Sequence, residues 1–497
     1  MSRSRKYIMD TMLVLTKDIV VRGSGFIINV LLTKFLNPFG FGVYSLFQTS
    51  GNGINNVLKL GGFETSTQLM VANPKNHKNI FRLSSIICTP FIVRISIAII
   101  GFLILTLFPD WVAYDLLGQP DILNYVLVLA VFVFFLILEI QTEFLLRGLQ
   151  QFKFLSIIQI SFTLISIISI SISTYLFSLD GAIISLTFTG SLRSIFMLLG
   201  TIYILHSLKV TLVFNDFWRT LADHIKVGTP HSIEAAILGP VNLYLIYLLT
   251  SNFGVDELAY QRIIYSIGSI IMVVPFAIQA TFLSEGVVKS NDGSNLEAFF
   301  LRNLKFVFFI SLLVVIIISG VLPLFIKLAF GSDYSAAVDL SLTYLNLFIL
   351  INVFNLTTSF FLTNNKISLD FYSRILQVFL FLAFGSILIE NMGLRGYLIA
   401  GVLGYAISFL TAIFFLRYIL KFRLTIQHII FRFSFIYLFF YLILNFILSI
   451  DPVIQRFLVS CSGSIILVTL AYLFILDEIE KAKVKSYIKK IFNFNRG

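Results

Sequence analysis

An all-α membrane protein with fourteen spanning helices is the fold class this sequence predicts, on three observations. Of its 497 residues, 58% are hydrophobic and only 12% charged, with a mean hydropathy of +0.94. No water-soluble domain of this size could hide that much apolar surface. The apolar residues also fall into fourteen runs, each near the roughly 20 residues that a helix needs to cross a bilayer. Finally, Lys and Arg gather at alternate ends of these runs, as cytoplasmic loops require.

In chain order the expected spans are 9–33, 40–62, 83–107, 122–146, 154–178, 182–206, 228–250, 257–283, 303–327, 337–363, 370–388, 395–419, 428–449 and 455–477. With both termini cytoplasmic, 26 of the 36 Lys and Arg fall at cytoplasmic loops and ends, 4 outside and 6 within spans. The outer turns are acidic or neutral instead, with Asp110, Asp115, Asp121, Asp180, Asp256 and Glu257. Arg3, Arg5 and Lys6 precede the first run as they would in a signal peptide, but that run is long, internally charged and without a cleavage site. It is expected to stay as a helix.

That first helix carries Lys17, Asp18 and Arg22 at membrane depth. At 100° per residue the three share one arc of about 140°. Charges there are expensive unless they face protein or water. Two readings follow: a cavity-lining cluster, or a pair in which Asp18 neutralises Arg22 at i,i+4. The second span holds Gln48, Asn52, Asn55 and Asn56 among small residues, and Pro240 and Pro275 interrupt the seventh and eighth. Such breakers survive where they are buried in protein or face a cavity.

The two halves of the chain echo one another at a shift of about 215 residues. Leu32-Thr33 before Tyr44 recurs as Leu249-Thr250 before Tyr260, Ile157-Ile158-Gln159 as Ile375-Leu376-Gln377, and Asp180-Gly181 as Arg395-Gly396. A duplicated six-helix unit is expected, with both copies entering from the cytoplasm. The predicted organisation is 1–215 as the first lobe, 216–425 as the second, 426–480 as an appended helix pair, and 481–497 as a basic cytoplasmic tail. That tail, with Lys481, Lys483, Lys485, Lys489 and Lys490, reads as a helix on anionic lipid or as an ordinary positive-inside anchor.

Signatures of catalysis are missing: no Gly-Lys-Ser/Thr phosphate loop, no Gly-x-Ser-x-Gly, no His-Glu-x-x-His. The five His lack ligand spacing, and Cys88 and Cys461 sit far apart in apolar runs as packing residues. A transporter is expected rather than an enzyme, with no metal site, no cofactor and no nucleic-acid partner. Glu139 and Glu143 could relay protons or bind a cation; a solvated helix end is the reading preferred here. Intramembrane cations dominate. Lys17, Arg22, Arg94 and Arg193 form the expected substrate-binding set, with Lys59 and Arg262 as weaker members whose side chains could simply snorkel or pair with carbonyls. Asp18 and Glu234 are the nearest carboxylates. A cavity rich in Arg suits a phosphate or carboxylate ligand.

Three stretches carry a resemblance. Thr33-Lys34-Phe35-Leu36-Asn37-Pro38-Phe39-Gly40-Phe41-Gly42-Val43-Tyr44 resembles the turn after helix one of the Wzx-type polysaccharide flippases, in the MATE-like superfamily. Gly61-Gly62-Phe63-Glu64-Thr65 is similar to the segment closing helix two there, and Leu146-Arg147-Gly148-Leu149-Gln150-Gln151-Phe152 resembles the basic loop after helix four. Asn37 stands where Gly is usual. The resemblance implies two six-helix lobes in a V plus a C-terminal pair, in the cytoplasmic (inner) membrane. It implies a cargo of oligosaccharide on polyprenyl diphosphate, moved to the outer leaflet for surface polysaccharide such as O-antigen, capsule or exopolysaccharide. Membrane lipids, a polysaccharide polymerase and other envelope glycan assembly proteins are the partners it implies. Coupling to H+ or Na+ through Asp18, with Glu234 second, also belongs to that resemblance. A peptidoglycan-precursor flippase, a cation-coupled multidrug antiporter and an assembly scaffold stay open at this stage.

Overall fold

In the computed structural model, Asn37 and Pro38 divide the first two helices. The Asn37 side chain accepts from Gly40 N at 2.8 Å, and Pro38 takes the first helical position. An N-cap side chain followed by Pro is a strong helix start, so Asn does at this turn what Gly could not. The structure describes residues 3–272 apart from 60–61, 74–79 and 211–215, and residues 296–419 apart from 365, with scattered positions at 275–282 and 442–469. The expected spans 428–449 and 455–477, the basic tail and Cys461 therefore lie largely or wholly outside the described residues.

The helices are α1 (Arg3–Phe35), α2 (Pro38–Val57), α3 (Phe63–Ala72), α4 (Ile80–Leu107), α5 (Val126–Gly148), α6 (Phe152–Ser207), α7 (Phe217–Phe253), α8 (Asp256–Ile271), α9 (Leu296–Ala329), α10 (Ala337–Thr363) and α11 (Ile367–Phe414). No strand occurs among the described residues. The fold is all-α, and the chain is a multi-pass membrane protein. Among the described residues seven helical stretches are long and apolar enough to cross a membrane. Their outer faces suit lipid: along α4, Ile92, Ile95, Ile99 and Leu103 recur at helical spacing and are all exposed.

Two of these stretches are each two helices joined by a tight reversal. In α6 the backbone turns at Ser178 (φ 49°, ψ −129°), and in α11 at Gly393 (φ 56°, ψ −136°). Three residues later a glycine lies against the preceding helix. A Cβ on Gly181 would meet Ser173 O at 1.9 Å, and one on Gly396 would meet Leu388 O at 2.0 Å. The two reversals share one turn and one close approach, 215 residues apart, as in the Asp180-Gly181 and Arg395-Gly396 echo of the sequence.

The chain forms two compact units, residues 1–270 with 378–400, and residues 271–377 with 401–497. Within the first, α5 packs on α4 and α6, α1 lies along α6, and α2 runs beside α7. Val71, Leu83, Ile86, Leu145 and Leu205 form one apolar knot there, joining α3, α4, α5 and α6. Within the second, α9 packs on α10. In α10, 76% of the most apolar stretch is buried, and Asn352 Nδ2 donates to Ser311 Oγ of α9 at 3.1 Å.

Candidate functional site

Inside the first unit, α1, α2, α5 and both halves of α6 surround a cavity of about 250 Å3. Of the polar run in α2, Gln48 and Asn52 line it, whereas Ser50 and Asn55 are buried. From α5 come the Phe132 ring and Glu139, and from α6 come Thr163, Thr189 and Arg193. Arg193 Nη2 donates to Glu139 Oε2 at 3.0 Å, and its Nε stands 2.8 Å from Oε1. Glu139 is only 6% exposed. It is not the solvated helix end that its spacing from Glu143 suggested; Glu143 instead pairs with Arg147 one turn on.

Arg262 of α8 occupies a different setting. Its Nη2 donates to Gln48 Oε1 and its Nε to Asn29 Oδ1 at 3.3 Å. Asn29 Nδ2 in turn donates to Ser266 Oγ (2.6 Å), which donates to the Arg262 carbonyl (2.7 Å). This loop of neutral amides and a hydroxyl holds a half-buried guanidinium, and among the described residues no carboxylate pairs with it. Gln48 is shared: it lines the cavity and binds Arg262 at once.

Arg94 is wholly buried, with Nη1 donating to Leu58 O at 2.8 Å and Nη2 at 2.8 Å from Glu64 Oε1. The two charges touch without an aligned hydrogen bond between them. The pair ties α4 to the start of α3. Lys59, half-buried after α2, lies within electrostatic reach of both partners. Lys17 is buried in α1, and Arg22 lies exposed two and three residues before Ser24 and Gly25, which line the cavity. The Asp18 and Glu234 side chains lie outside the described residues. The six expected cations thus occupy several environments rather than one: Arg193 and Arg94 each face a glutamate, and Arg262 faces amides.

A second cavity, about 560 Å3, is apolar and bounded by α2, α4 and α7, with Leu58, Leu105, Trp111 and Tyr247 in its wall. Elsewhere in the first unit His224 of α7 is fully buried. Its Nε2 donates to Ile86 O of α4 at 3.0 Å, which leaves Nδ1 to accept from the Ser66 hydroxyl of α3 at 2.7 Å. Burial holds this imidazole down to about 4, well below its usual range. Nothing in the sequence marked His224 apart from the other His residues, because its partners are 138 and 158 residues away.

No protein-family model and no curated protein sequence matches this chain. Solved structures do. An inward-facing multidrug resistance MATE family transporter of the MOP superfamily matches at TM-score 0.67 and 16% identity, over 81% of this chain and 97% of that one. The lipid II flippase MurJ, in an inward closed conformation, matches at 0.69 and 15%, over 95% of this chain and 100% of that one. A MOP superfamily transporter from Pyrococcus furiosus, described as having a binding pocket of reversed polarity, matches at 0.60 and 15%, over 82% and 95%. The chain has the MATE-like fold.

Proposed function

We propose that this protein is an alternating-access flippase that carries a polyprenyl-diphosphate-linked oligosaccharide from the cytoplasmic to the outer leaflet. The observation that carries the reading is Arg262, a half-buried guanidinium held by Asn29 and Gln48 without a carboxylate among the described residues. A cation so placed retains its charge for a phosphate, and the guanidinium fork suits two phosphate oxygens. The fold, shared with a lipid flippase and with a multidrug resistance transporter, supports transport. Coupling to a proton or sodium gradient through Asp18 or Glu234, and work beside a polymerase and other glycan assembly proteins, belong to the same proposal.

Deleting the gene tests it. Lipid-linked oligosaccharide should accumulate on the cytoplasmic leaflet and a surface polysaccharide should disappear. Normal surface glycan with hypersensitivity to cationic dyes would replace this reading with drug export. That alternative is disfavoured by Glu139, the one carboxylate among the described residues of the cavity wall, because Arg193 already neutralises it.

A peptidoglycan-precursor flippase is the second reading, favoured by the likeness to MurJ over 95% of the chain. Rescue of cells depleted of their own lipid II flippase would establish it, and failure to rescue alongside loss of surface glycan would exclude it.

A further inference from the structure

The cavity of the first unit combines three properties that bear on its ligand. It is small: about 250 Å3, below the usual range for a drug-sized molecule, so it holds one ring rather than a whole headgroup. Among the described lining residues its charges cancel, because Glu139 and Arg193 face each other at 2.8 and 3.0 Å. It also holds polar groups that take no partner among the described residues. Asn52 and the Thr163 hydroxyl make no hydrogen bond among the described residues, and neither does Nε2 of Gln48, whose Oε1 is taken by Arg262.

An anion entering here would have to draw Arg193 from Glu139, and a metal ion or cationic drug would have to displace it. Either leaves one charge buried and unpaired, which is strongly unfavourable. A polyol disturbs neither. Each hydroxyl both donates and accepts, so it can serve the amides, Thr163 and the outer edges of the ion pair together. The Phe132 ring supplies an apolar face whose negative quadrupole attracts the weakly positive C–H edge of a sugar ring.

We propose that this cavity is a seat for one neutral pyranose ring, gripped by Gln48, Asn52, Thr163 and the Glu139–Arg193 pair against Phe132. The proposal rests on the flippase reading, in which the cargo carries sugars, and adds which part of the cargo this unit recognises. The basic residues would then serve the diphosphate, and the neutral cavity would select the glycan.

The test uses the full-length protein in nanodiscs with Cys88 and Cys461 replaced and a reporter cysteine introduced by Ser166→Cys in the cavity wall. Its alkylation by N-ethylmaleimide is timed with methyl glycosides of glucose, galactose, mannose, rhamnose and N-acetylglucosamine, and separately with sodium chloride and pyrophosphate. At least one glycoside should slow the reaction, by about threefold at twice its dissociation constant, while the salts leave it unchanged. Adding Asn52→Ala, an exposed position whose loss spares the core, should remove that protection. If no glycoside protects, or if sodium or pyrophosphate does, the sugar seat is wrong. Because the deletion phenotype is read separately, that failure leaves the flippase reading standing. Protection by a glycoside in a protein whose deletion leaves lipid-linked glycan unaffected would keep the seat and discard the flippase.

Discussion

Arg262 and Arg94 are both arginines held inside the first unit, and loss of the charge should act on export at one and on abundance at the other. Arg262→Gln leaves behind only neutral amides, so protein should reach the membrane at a normal level while, on the proposed phosphate contact, export falls by about tenfold or more. Arg262→Lys should recover part of it, since an ammonium lacks the fork. Arg94→Leu instead strands Glu64 in the core, at a cost of about 3–5 kcal/mol, and abundance should drop. Adding Glu64→Gln should bring abundance back. Immunoblots of membranes and surface-glycan assays read both outcomes. If Arg94→Leu kept abundance and lost only export, its structural role would be refuted.

His224 adds a pH dependence of known sign. Its unfolded value near 6.5 exceeds its folded value of about 4, so the unfolded chain takes up the proton first as pH falls. The stability this site contributes is full above about pH 6.5 and decreases toward pH 4, by about 2 kcal/mol at pH 5. The melting temperature of the purified protein should therefore fall between pH 7 and 5, and His224→Gln should flatten that slope. An unchanged slope in the variant would place the titration elsewhere.

At the scale of elements, the paired reversals in α6 and α11 make a direct comparison. Ser178 and Gly393 share a left-handed backbone that glycine adopts freely and serine resists, at a cost of about 1–3 kcal/mol. Ser178→Gly should raise the melting temperature, and Gly393→Ser should lower it. Equal and opposite effects would show that both reversals use one turn. Gly181→Val should be worse than either, because Ser173 O already occupies the space a Cβ needs.

For the whole molecule, the bias of Lys and Arg predicts cytoplasmic termini. Asp115→Cys and Asp256→Cys, both at exposed positions, should react with an impermeant thiol reagent in intact cells, and Lys209→Cys should not. The reverse pattern would invert the topology.

Helical class, membrane residence and one matched pair of turns were legible in the sequence, since each depends on what neighbouring residues do together. Apolar runs set the helices, Asn37-Pro38 sets the break between α1 and α2, and the Asp180-Gly181 and Arg395-Gly396 echoes mark turns that the backbone repeats. The candidate cations were legible as residues but not as roles. Whether an arginine is neutralised depends on a partner far along the chain: Glu139 lies 54 residues from Arg193, and Gln48 lies 214 from Arg262. A one-dimensional pattern records depth in the membrane and position around a helix, but not which helix packs opposite. Only the packing of α1, α2, α5, α6 and α8 decided that Arg193 faces a carboxylate while Arg262, the weaker candidate by sequence, faces amides. Burial then fixes the consequence, because in a low-dielectric interior the identity of the nearest partner determines whether a charge is spent on the fold or kept for a ligand.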